Sequence, residues 1–216
     1  MPRKLGLKPP QQARSRESLR RMLDAAENVL EKYGAEGLTL VRVAKEAKLS
    51  SANVYRRFRD KEALIAAVFQ RFYDINATDL DARVDLGTIR NLGIRHFTRN
   101  WIAGMIQGFR TRTGLVRAAV VYSQSHQHAP HVKRKTEIET ALFRRHVQIY
   151  MLWRDQIRHA DPEYAVSYAI ISIALTLREL IIFDNAAMFS KLVPMDDEHL
   201  REELPRAFLR YVGIEP

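Results

Sequence analysis

The sequence predicts an all-α protein. Apolar residues recur every three to four positions along most of the 216-residue chain. Capping residues, glycines and prolines interrupt that recurrence at helix-length intervals, and no stretch alternates with the period of two that a half-buried strand requires. The punctuation divides the chain into a basic arm over 1–14, a compact group of helices over 15–76 and a helical body over 77–216.

The arm, MPRKLGLKPPQQAR, holds three prolines and little apolar content, so no packed structure is expected of it. From Ser15 the spacing Leu19, Met22, Leu23, Ala26, Leu30, Tyr33 marks one face of a helix, and Gly34 supplies its stop, giving a helix over 15–33. Thr39 stands where an N-cap belongs, ahead of the inward stripe Leu40, Val43, Ala44, Ala47 of a helix of two turns. Ser50 caps a third, equally short helix with Val54 and Phe58 inside, and Asp60 caps a fourth with the stripe Leu64, Val68, Phe72. The short second and third helices around a three-residue turn have helix-turn-helix spacing. Further helices are expected over 86–108, 113–125, 130–157, 162–185 and 197–213, with breaks at Gly87, Gly114, Pro130, Pro162 and Pro194.

The chain is strongly basic, with a formal net charge of +10, and the excess is uneven. Residues 1–72 hold 16 Lys and Arg against 8 Asp and Glu, and the remainder 19 against 17. A nucleic-acid-binding head on a near-neutral body has this asymmetry, as does a solvated basic face. The apolar stretch Ala165–Leu177 is interrupted by Ser167, Ser172 and Thr176 and reads as too short to span a bilayer. Without cysteine there are no disulfides, thiolate metal sites or cysteine nucleophiles. With no charged-then-apolar leader at the N-terminus, a cytoplasmic protein with no membrane partner is expected.

In a helix-turn-helix the second helix enters the major groove, so its first turns need short polar groups and its flanks need cations. The segment SSANVYRRFRDK supplies both: Ser50, Ser51 and Asn53 are short and polar, and Ala52 is small enough to meet a thymine methyl. Arg56, Arg57, Arg59 and Lys61 surround them.

The longer run LTLVRVAKEAKLSSANVYRRFRDKEALIAAV resembles the N-terminal signature of the tetracycline-repressor (TetR) family through Thr39, Ala44, Ala47, Leu49, Ser50, Tyr55, Arg57, Phe58, Lys61, Glu62 and Leu64. The resemblance spans about sixty residues; elsewhere only the helical character is shared. It implies a three-helix helix-turn-helix DNA-binding domain joined by a connecting helix to a helical ligand-binding and dimerisation domain. It further implies that Ser51, Ala52, Asn53, Tyr55 and Arg57 face DNA while Thr39 and Lys61 hold phosphates. Two positions depart from the family. Lys48 stands where glycine is frequent, and a left-handed lysine there costs about 1 kcal/mol, useful if its ammonium meets a phosphate. Arg57 stands where histidine or tyrosine is commoner and offers a bidentate guanine contact.

In the body, the helix over 162–185 is apolar on nearly every side, more than one protomer's core easily covers. Tyr168, Ile171 and Leu175 on it, with Leu200, Leu204, Phe208 and Tyr211 on the last helix, are the candidate homodimer face, as the family's paired C-terminal helices imply. Phe97, Trp101, Met105, Tyr122, Phe143, His146, Tyr150 and Trp153 recur at helical spacing and are candidates to line an effector cavity, or simply to pack the core. His126, His128 and His131 lie at a helix connection beside Pro130 with no carboxylate close in sequence; they read as polar loop residues, so no metal is expected.

No nucleophile elbow, phosphate loop, dinucleotide glycine fingerprint or paired-histidine zinc helix is present, so neither an enzyme nor a cofactor is expected. The expectation is a homodimeric repressor that leaves a double-stranded, pseudo-palindromic operator when a small-molecule effector binds. The alternative is an architectural protein that coats DNA without sequence preference or effector, which leaves the near-neutral body over 77–216 unexplained.

Overall fold

The computed structural model describes the backbone of residues 11–82 and 85–216, and the side chains of 13–75, 85–129 and 132–216. Among the described residues every regular element is helical. They divide into two compact units, one ending at Phe69 and the other beginning at Gln70.

The first helix, α1, covers Gln11–Gly37 and so starts within the expected arm, whose residues 1–10 lie outside the described ones. Gln11, Gln12, Ala13 and Arg14 are good helix formers once Pro10 is passed, so nothing opposes the earlier start. Gly34 breaks α1 where the sequence places the stop, with φ 66° and ψ −175°. Two short helices follow, α2 over Leu40–Glu46 and α3 over Ser51–Arg57, and α4 begins at Lys61. Met22, Ala26, Val29 and Leu30 from α1 close a core with Val43 and Ala44 of α2, Val54 of α3, and Leu64, Ile65 and Val68 of α4. Tyr33 departs from the expected inward stripe. It is 48% exposed, and the Arg42 guanidinium lies 4.6 Å over its ring, a cation–π contact on the surface.

The second unit holds the end of α4, which reaches Ala82, then α5 (Leu86–Leu92), α6 (Ile94–Thr111) and α7 (Thr113–Ser125). The single helix expected over 86–108 is two, because Gly93 takes φ 78°. α8 (Pro130–Tyr150) passes into a 3₁₀ turn at Met151–Gln156, and α9 (Pro162–Leu177) into a π turn at Arg178–Ile182. A short α10 (Ala186–Phe189) and α11 (Asp197–Tyr211) complete the chain. Counted through the π turn, Pro162–Ile182 spans 21 residues and contains an 18-residue stretch of mean hydropathy 1.8, long and apolar enough to cross a bilayer, unlike the shorter stretch read from sequence. Half of it is buried inside the protein, as in the core helix of a bundle.

α6 is the centre of this unit and packs on α11, α9 and the π turn. Its innermost stripe is Ile94, Thr98, Ile102 and Ile106, none more than 1% exposed. The lone polar member explains itself: Thr98 Oγ1 donates to the Ile94 carbonyl at 2.7 Å and accepts from the Tyr150 hydroxyl at 3.1 Å. Burial pushes the Tyr150 phenol well above its usual range, so it stays a donor. Thr98→Val leaves that buried hydroxyl unpaired and should cost about 1–3 kcal/mol, whereas Tyr150→Phe leaves Thr98 bonded to Ile94 and should cost about 1 kcal/mol or less. Urea denaturation of the two variants checks the order; a costlier Tyr150→Phe contradicts it.

Candidate nucleic-acid interface

The exposed third helix is built from its ends inward. Thr39 has extended backbone, and its Oγ1 accepts from the Arg42 amide at 3.1 Å, which starts α2. α2 stops in a Schellman turn: the Lys48 amide donates to the Lys45 carbonyl at 3.1 Å and the Leu49 amide to the Ala44 carbonyl at 2.9 Å. Lys48 occupies the left-handed position of that turn, with φ 53°, the conformation expected from its place in the sequence. Ser50 then caps α3, its Oγ accepting from the Asn53 amide at 3.3 Å. Asp60 caps α4, with Oδ1 accepting from the Ala63 amide at 2.8 Å and Oδ2 from Arg59 Nε at 2.7 Å. Those bonds hold the Asp60 carboxyl below its usual range.

Inside α3 only Val54 is buried, at 0% exposed, and Phe58 follows at 6%. Everything on the outer side is open. Lys48, Ser50, Ser51, Ala52, Tyr55, Arg56 and Arg57 are exposed, as is Thr39; Asn53 and Lys61 are half-buried. Tyr55 is 54% exposed, an aromatic ring left in water on a small domain. Arg56 Nη2 donates to Asn53 Oδ1 at 2.8 Å, which leaves the Asn53 amide nitrogen free to donate. Arg59 is paired with Asp60, but no carboxylate pairs with Lys48, Arg56, Arg57 or Lys61 among the described residues. The expected contact residues are thus exposed or half-buried short polar groups and cations, the chemistry that phosphates and base edges require.

Sequence reasoning missed the arginines that hold the turns flanking α2. Arg42 Nη1 donates to the Gly37 carbonyl, and Arg21 of α1 donates to two carbonyls of the turn before α3. The Arg42 bond spans only five residues, but those of Arg21 reach 26 and 27 residues along the chain, beyond what local spacing reveals.

The body candidates separate. Phe97, Trp101, His146, Tyr150 and Trp153 form one aromatic cluster: Phe97 and Trp101 meet Tyr150 edge-on at 5.2 and 6.2 Å, and Trp101 lies 5.4 Å from His146. Met105 and Phe143 pack against the same core. Tyr122 lies outside that core cluster and stacks on His126, centroids 3.9 Å apart. Burial lowers the pKa of His146, favouring its neutral form. Nearby in sequence, Arg145 Nε is buried with no hydrogen-bond partner among the described residues.

Two dimer candidates require correction. Leu200 and Phe208 are 4% and 1% exposed and belong to the protomer's own core, where the Phe208 ring stacks on Tyr150 at 4.8 Å; neither is presented to a partner. Leu204 packs partly buried against that core. Tyr168, Ile171, Leu175 and Tyr211 are 50, 46, 44 and 40% exposed. His126 and His128 gather no third ligand, His131's side chain lies outside the described residues, and no metal-holding group occurs among the described residues.

Residues 22–68 match the family described as bacterial regulatory proteins, tetR family. No sequence among the curated proteins matches the chain. Among solved structures, one assigned to the TetR family from Mesorhizobium loti superposes with a TM-score of 0.66 at 18% identity, over 93% of this chain and 99% of that one. A TetR-family transcription regulator from Marinobacter aquaeolei gives 0.58 at 18% identity, covering 92% and 97%. NalD of Pseudomonas aeruginosa, the secondary repressor of the MexAB-OprM multidrug efflux pump, gives 0.56 at 16% identity, covering 93% and 98%. At these identities the likeness establishes the fold.

The roles of the two basic positions are separable. If Arg57 reads a base, Arg57→Ala should cost about 1–3 kcal/mol on a selected site and relax one position, while Lys61→Ala should weaken all DNA alike and lower the salt slope by about one unit. Titrations of both variants on selected and random duplexes distinguish them; equal losses on both duplexes for Arg57→Ala make it a phosphate contact.

Proposed function

We propose that this chain, which carries a TetR-family DNA-binding domain and the all-helical fold of that family's regulators, is a homodimeric transcriptional repressor released from a pseudo-palindromic operator by a small-molecule effector. The carrying observation is α3: a seven-residue helix with one buried side chain, whose open face holds Ser51, Ala52, Tyr55, Arg56 and Arg57. A helix that contributes so little to the core is there for what it touches outside.

Homodimerisation rests on α9. Tyr164, Tyr168, Ile171 and Leu175 recur at helical spacing along its exposed side, and the Tyr211 ring lies 5.3 Å from Tyr168. Such a stripe is costly to leave in water. Two recognition helices in a symmetric dimer should address half-sites about 34–36 Å apart. Selection from random DNA should therefore return a pseudo-palindrome with the wild-type chain. The double variant Ile171→Asp/Leu175→Asp should sediment as a monomer and lose that symmetry. Asymmetric sites from a wild-type dimer contradict the proposal.

Release by an effector is supported by the aromatic cluster and by the Arg145 Nε–H, a buried donor that a ligand acceptor would satisfy. α4 is the connecting element, an unbroken helix over Lys61–Ala82 with the division between the units at Phe69/Gln70. Couplings of about 1–3 kcal/mol weaken operator affinity roughly 5–150-fold, and reciprocity demands the same factor for the ligand. Trp101 and Trp153 report binding by fluorescence. A quenching ligand should bind more weakly at saturating operator; an unchanged affinity shows that the ligand is no effector.

A further inference from the structure

We propose that Arg21, on α1 and outside the DNA-facing rim, is the positioning residue that sets the angle at which α3 is presented. The proposal rests on the reading of α3 as the DNA-contacting helix. A single nitrogen, Nη2, donates to the Ala47 carbonyl at 2.5 Å and to the Lys48 carbonyl at 3.2 Å, across 26 and 27 residues of sequence. These carbonyls belong to successive residues, so one donor fixes two adjoining peptide planes.

Their location gives the contact its consequence. Lys48 is held at φ 53°, a conformation that residues with a side chain avoid and glycine adopts freely. The Schellman bonds satisfy the carbonyls of Ala44 and Lys45, and the next turn begins with the Ser50 cap. Ala47 and Lys48 carbonyls fall between these two devices, and Arg21 is the donor that reaches both. Its positive charge also sits at the negative end of α2. A turn with a glycine would hold its shape unaided; with lysine, it is held from α1. Arg21 is half-buried in a groove that it shares with Asp24, Asn28, Glu46 and Lys48, beside the buried Ala25 and Ala47.

The test uses the full-length chain with Arg21→Met, which keeps the stem and removes the donor, Arg21→Gln as a second neutral variant should the first not fold, and Arg21→Lys. The quantity read is the affinity for a selected site divided by that for random duplex. Arg21→Met should lower this ratio about tenfold, the size of one misread base pair, with random-duplex affinity nearly unchanged. Arg21→Lys should recover most of the loss, since an ammonium can donate to both carbonyls. In a Lys48→Gly background the loss should shrink, because glycine needs no clamp. An unchanged ratio in Arg21→Met, equal losses on both duplexes, or the same loss in both backgrounds overturns the proposal. A wild-type chain with no preference for any site overturns the reading of α3 itself, and is distinguished by appearing before any substitution is made.

Discussion

Helix α3 is too short to keep its own shape. Isolated helices below about 12–15 residues are marginal in water even with favourable sequences, and α3 has seven residues and only Val54 buried. Its form is imposed from outside: by the Ser50 cap at its start, by Val54 and Phe58 against the core, and by the turn at Lys48. That constraint explains the rest of the first unit. The capping residues Thr39, Ser50 and Asp60 recur because each helix must begin sharply enough to leave the next one in place. The compensation is that the outer face of α3 is relieved of any packing duty, so its residues are chosen for chemistry.

The second unit follows a different logic. Its core is large and mostly aliphatic, with the Ile94–Thr98–Ile102–Ile106 stripe of α6 buried in it and Tyr150 and Phe208 stacked on each other within it. Its helices end irregularly, α8 in a 3₁₀ turn and α9 in a π turn, where Arg117 of α7 donates to the Ile182 carbonyl. Such turns recur at functional sites, and both lie beside helices that carry candidate effector or dimer residues.

The first unit was legible because its signals are local. Thr39, Ser50 and Asp60 each sit one position ahead of a helix, and Gly34 breaks α1 where a stop was expected. In the second unit the deciding contacts are distant. Gly93 divides the helix expected over 86–108, though Gly87 had the stronger local claim beside Asp85, which caps α5 instead. On α11 the spacing of Leu200, Leu204, Phe208 and Tyr211 shows one apolar stripe but not which neighbour it meets. Phe208 turns to Tyr150 while Tyr211 stays 40% exposed beside Tyr168. The Arg21 clamp reaches 26 residues along the chain and leaves no periodic trace. Nor does spacing separate an aromatic that lines a cavity from one that packs a core.

The central claim is that the rim around α3 meets DNA, and hydrogen exchange measured residue by residue on the free chain and on the chain with a selected duplex tests it directly. Protection should gather at residues 39–61, strongest through Ser51–Arg57, where water now reaches the outer face. Protection gathered elsewhere, with residues 39–61 exchanging as fast bound as free, would contradict the account.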